Sequence, residues 1–224
     1  MNAVKPFGNL DTATILVIGQ DPRLQRSQAE AKVAFFFDYL ARPRPTHRPE
    51  AKKYDLAQAV WGYVSELAGR DAPLTELYVT NLCNEFLEHT PASGTVLIPD
   101  ALAQRGVEQI MPIVAAGHFK VILPMGVQTF YHLCWQGFVD EDSELVARFV
   151  AGACPRASKA KQGIYVQSGK APFLTVCGRK FHHRGVPLVP ILHIKQWPLN
   201  AQMIRYTESM EQAKQHVSAL WAME

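Results

Sequence analysis

Apolar residues fall along this chain in two rhythms. Four in a row, Ile15 to Ile18, run straight into Gly19-Gln20-Asp21-Pro22. A short continuous apolar run bounded by turn formers is the signature of a strand buried on both faces, so residues 14 to 19 are predicted to form a first strand. The same reading predicts strands at 76 to 82 (ELYVTNL) and 120 to 126 (KVILPMG), the latter ended by Pro124. Residues 173 to 178 (FLTVCG) and 186 to 193 (VPLVPILH) are expected to pair as a β-hairpin around the polar turn RKFHHRG.

Between these runs the period changes to that of a helix. Leu56, Val60, Tyr63, Val64 and Leu67 recur on one face of 55 to 69, and Met210, Ala213, Val217 and Leu220 do so in 207 to 221. Residues 28 to 40 and 100 to 117 are also expected to be helical, the second kinked by Pro112. Pro43, Pro45 and Pro49 forbid regular structure over 41 to 53, which is expected to be a long surface loop. Buried strands alternating with helices predict an α/β fold: a three-layer α/β/α sandwich around a mostly parallel sheet, with residues 1 to 224 in one domain.

Composition agrees with a globular protein, 48% hydrophobic and 19% charged. No apolar stretch is long enough to span a bilayer and the N-terminus lacks a signal-peptide pattern, so a cytoplasmic protein without membrane contact is expected. Cys83, Cys134, Cys154 and Cys177 show no C-x-x-C pair, so reduced thiols and no metal site are expected. Charge changes the picture more. Residues 145 to 207 contain no Asp or Glu but ten Lys or Arg, which is +10 against +3 for the whole chain and leaves −7 for the rest. Such asymmetry suggests a side that faces a polyanion, although a solvated basic face reads the same way.

In a parallel sheet, ligands bind at the carboxyl ends of the strands. The first strand ends in Asp21, the second in Asn81 and the last in His193. Singly these are a turn former, a cap and a structural histidine; together they place an acid, an amide and an imidazole at equivalent positions. No G-x-G-x-x-G or G-x-x-x-x-G-K-[ST] loop is present, which argues against a nucleotide-binding α/β enzyme.

These motifs, in this order, resemble those of the uracil-DNA glycosylase superfamily. The likeness rests on GQDP after the first strand, Gln28-Ala29 and Ala34-Phe35 in the segment that follows, YVTNL at the second strand, VILPMG at the third and LHIKQWPL at the last. It covers the chain from Ile15 to about Leu199. It implies a monomeric, cofactor-free DNA glycosylase that hydrolyses the N-glycosidic bond of uracil or a related deaminated base, as in base excision repair. Asp21 would orient a water and stabilise the sugar cation, and His193 would donate to the departing base. Gln20, Arg23 and Asn81 would line the base pocket, Asn81 reading one edge of uracil, with Phe35 or else Phe36 stacking on the extruded ring. Lys195 would contact phosphate, and Leu199 or Trp197 would wedge into the gap left by the flipped base.

Three departures accompany the resemblance. Arg23 stands where the family has a tyrosine, Leu24 where it has a histidine, and Ile194-Lys195 where it has Pro-Ser. Arg23 would line a roomier pocket, hold a phosphate or obstruct base entry. The alternative function is therefore a catalytically altered member of the fold that binds nucleic acid.

Overall fold

The computed structural model describes residues 4–20, 32–85, 95–140, 143–154, 164–165, 170–194 and 204–222. At its centre is a five-stranded sheet in the order β2-β1-β4-β7-β6, with β1 at Ile15–Gly19, β2 at Leu77–Asn81, β4 at Val121–Pro124, β6 at Phe181–His183 and β7 at Val186–Leu188. The first four run parallel and β6 is antiparallel to β7. A separate antiparallel pair joins β3 (Thr95–Val96) to β5 (Ile164–Tyr165).

Every residue of β1, β2 and β4 is buried. Successive strand residues point to opposite faces, so both faces of this part of the sheet are covered. The covering helices are α1 (Arg48–Ala68), α2 (Asp100–Ala116), α3 (Val127–Trp135), α4 (Glu144–Ala153), α5 (Lys170–Leu174) and α6 (Ile204–Ser218). On α1, Val60, Val64 and Leu67 reach the core as their spacing predicts, and Gly69 ends the helix at φ 68°. Pro112 is accommodated inside α2. Gly106 is what lets α2 sit so close to the chain after β2: a β-carbon there would lie 1.7 Å from the Leu82 carbonyl oxygen.

The edge strand β2 is covered by the N-terminal segment. Phe7 and Val79 exchange both backbone hydrogen bonds at 2.9 Å, and the Lys5 carbonyl accepts from Ala34. One short stretch therefore ties β2 to the chain at residues 32 to 34.

Several expectations need correction. The expected loop over 41 to 53 is shorter, because α1 begins at Arg48 with Pro49 in its first turn, where a missing N–H costs nothing. The expected strand at 173 to 178 is instead the end of α5 and a turn, with the Cys177 N–H donating to Phe173; short apolar runs read alike as strand or buried helix. Strand β6 instead lies inside the expected polar turn and pairs with β7, the start of the expected strand at 186 to 193, the two joined at Arg184-Gly185, both at positive φ. Finally, the described part of the expected helix at 28 to 40 is a 3-10 segment, Ala34–Ala41, broken at Phe35 and Phe36.

None of the four cysteines is in a disulfide. Among the described residues, no helix is long and apolar enough to cross a membrane, and no cluster of His, Cys, Asp or Glu is placed to hold a metal ion.

Candidate functional site

The parallel strands bring their carboxyl ends to one edge. β1 and β2 are in register, Gly19 opposite Asn81, and the ladder continues past the strand: the Leu82 N–H donates to Gly19 and the Cys83 N–H to Gln20. The Gln20 backbone is thereby fixed at the end of the β1–β2 ladder. On the other side of β1, Met125 donates to Ile18, and Gly126 donates to the Ile191 carbonyl. That last contact, with the Met125–Ile191 bridge, extends β7 toward His193.

The closest convergence is around Gly19. A β-carbon built there would lie 2.3 and 2.4 Å from Cε2 and Cζ of Phe35 and 2.6 Å from Oδ1 of Asn81. The ring and the amide therefore meet over a bare backbone, in space that any side chain would take. Asn81 is only 3% exposed. Phe35 is half-buried.

Phe35 reaches this position through an unusual backbone. Phe35 (φ 50°, ψ 20°) and Phe36 (φ 59°, ψ 30°) both adopt the left-handed conformation. For residues with a β-carbon this costs about 1–2 kcal/mol each. The pair persists because its surroundings fix it. Val33 accepts from the Phe36 N–H, Lys5 brackets Val33 from both sides, and Phe37 is fully buried against Phe7, ring centroids 5.1 Å apart. Backbone strain held in place by packing is a common property of functional sites.

His193 sits at the other end of the row, its Cβ 3.4 Å from the position a β-carbon would take on Gly126. The strand order places β1 and β4 between it and Asn81. Three strand spacings amount to about 14 Å between backbones, a span that two side chains can close from opposite sides onto one small planar ligand. Helix α3 starts directly after Gly126 and carries His132, fully buried, whose two ring nitrogens have no hydrogen-bond partner among the described residues. Burial pushes its pKa down from 6.5 to about 4, opposed only weakly by Asp100.

Of the expected site residues, then, Phe35 and Asn81 are brought together, Gln20 adjoins them and His193 lies on the same edge. Asp21, Arg23, Lys195, Trp197 and Leu199 lie outside the described residues. The basic run is not a single face. Arg148 pairs with Glu144 on α4. Arg179 and Lys180 enter β6 at the edge that bears the candidate site, whereas the exposed Arg184 lies at the opposite end of the sheet. Sequence reasoning missed Gly19 and Gly126 as site determinants. A glycine closing a strand is the signal that could have found the first, since it marks a close approach. No family model matches this chain, and no curated protein matches it.

Proposed function

We propose that this chain is a DNA glycosylase-like protein of three-layer α/β/α architecture that hydrolyses the N-glycosidic bond of uracil or a related deaminated base. The observation that carries the reading is the meeting of the Phe35 ring and the Asn81 amide over Gly19. A flat ring beside a buried amide suits an extruded base, stacked on the ring and read along one edge. The Asn81 Nδ2 donates to a base carbonyl while Oδ1 accepts from the neighbouring ring N–H; cytosine presents the opposite pattern.

In this reading Asp21, next in the chain after Gln20, orients a water toward the sugar and accepts its proton. The water oxygen bonds to C1′, the C1′–N bond breaks, and its electron pair leaves with the base. His193 donates a hydrogen bond to the base oxygen as that charge develops. The chemistry needs no metal or cofactor. Arg179 and Lys180, on the same edge, add positive charge for a phosphate backbone, with Lys195 as a phosphate contact and Leu199 or Trp197 as the wedge.

The test is base release from single- and double-stranded oligonucleotides carrying uracil, hypoxanthine, xanthine or a thymine mismatch. Asp21→Asn is expected to abolish release. Asn81→Ala is expected to lower kcat/KM at least about tenfold, the worth of a lost buried hydrogen bond. Salt-dependent DNA binding without release, unchanged in Asp21→Asn, would instead make the protein a binding module of the same fold. A protein indifferent to DNA but stabilised by a free nucleotide would refute both.

A further inference from the structure

Lys53 is the most buried charged residue among those described, at 7% exposure on the face of α1 that packs against the Phe35 segment. Its ammonium lies 5.5 Å from the ring centroid of Phe36 and 5.7 Å from that of Tyr39. The two rings meet edge to face, centroids 6.2 Å apart at 86°. No salt bridge or hydrogen bond is made by this ammonium among the described residues, so its described counterparts are the two π-faces.

That is a poor device for stability alone. A cation–π contact contributes only about 0.5–2 kcal/mol to stability. What a cation between two rings supplies is direction: it fixes the plane of each ring beneath it. Phe36 shares its peptide bond with Phe35, and both sit in left-handed conformations that their own chemistry disfavours. Fixing the Phe36 ring from α1 therefore fixes the backbone that aims Phe35 at Gly19 and Asn81.

We propose that Lys53 is a positioning residue for the Phe35 stacking face, acting through Phe36 and never touching the ligand. The proposal rests on the glycosylase reading for its catalytic consequence, but not for its structural one. A stacking surface binds the base in the ground state and the transition state alike, so its misplacement appears in KM rather than kcat.

The experiment uses the full chain with 4-fluorophenylalanine at position 35, as wild type, Lys53→Met, Lys53→Arg and Tyr39→Leu. In Lys53→Met the fluorine resonance is expected to shift and broaden. KM for a uracil-containing single strand is expected to rise about fivefold to tenfold with kcat within about twofold, within the range of a cation–π contact. Lys53→Arg, which keeps the cation over the rings, is expected to restore both. Tyr39→Leu, which removes one ring remote from the pocket, is expected to move the resonance the same way by a smaller amount, and it decides the matter should Lys53→Met not fold. A lowered melting temperature with an unmoved Phe35 resonance and unchanged KM would overturn the proposal. If the wild type releases no base, the glycosylase reading fails, while the fluorine spectra still test the role of Lys53.

Discussion

Gly19→Ala tests the geometry of the candidate site without presupposing a substrate. The backbone there is extended strand, so alanine fits it; only side-chain space is at issue. Ordinary carbon–carbon contact is about 3.5–4.0 Å, and the new methyl would stand 2.3 and 2.4 Å from Phe35 and 2.6 Å from the Asn81 oxygen. Those obstacles are ends of side chains, which can swing aside at the cost of their own contacts. Overpacking of this kind costs about 1–3 kcal/mol, partly offset by the roughly 0.5–1 kcal/mol that alanine recovers over glycine in a strand. A net loss of about 1.5 kcal/mol is expected in urea denaturation with m unchanged. The decisive measurement is the cycle with Phe35→Ala. Once the ring is gone, the two nearest obstacles to the methyl are gone with it, so the double variant is expected to be more stable than the sum of the single effects by about 1 kcal/mol or more. Additivity within about 0.5 kcal/mol, or a Gly19→Ala protein as stable as wild type, would show that ring and glycine do not touch and would remove the basis for the pocket.

Two further outcomes follow from buried groups elsewhere. His132 has a folded pKa of about 4 against 6.5 unfolded, so its contribution is complete above pH 6.5 and is lost as pH falls from 6.5 to 4; the loss reaches about 3 kcal/mol at roughly 1.36 kcal/mol per pKa unit, and His132→Leu is expected to flatten that part of a stability–pH profile. An unchanged slope in His132→Leu would refute it. Gly106→Ala is expected to cost more than Gly19→Ala, about 3 kcal/mol or more, because the atom in the way is the Leu82 backbone oxygen and cannot turn aside; denaturation midpoints compare the two directly.

The parallel core was legible because its signal is local. β1, β2 and β4 are continuous apolar runs ended by Gly19, Asn81 and Pro124, and burial on both faces leaves no other use for such runs. What escaped reading was structure whose pattern is set by distant neighbours. Helix α3 has Gln128, Thr129 and His132 buried along with its apolar residues, so no polar face marks it as a helix. Residues 173 to 178 are apolar because they pack, not because they pair, and β6 is a strand of Phe-His-His because His183 stacks flat on Phe138, centroids 3.7 Å apart. Pro49 punctuates a helix start as readily as a loop, and only the packing of α1 against its neighbours tells the two apart.

The site divides in the same way. That an amide and an imidazole end their strands at one edge follows from sheet topology, which apolar runs and their order specify. How Phe35 meets Asn81 does not. Three consecutive phenylalanines go to three places: Phe35 to the strand ends, Phe36 beneath Lys53, Phe37 into the core. No periodicity encodes such a split. It needs two left-handed residues that the sequence itself disfavours, the Lys5 tether, a lysine without a described carboxylate, and a glycine whose missing side chain is the space that the ring and amide occupy. Each of these is locally costly or neutral, and only the shared result, a half-buried aromatic ring beside a buried amide, makes them consistent. Backbone strain and close approach gathered at one place are what a binding site imposes on a fold, and they support the proposal that this edge of the sheet holds a ligand.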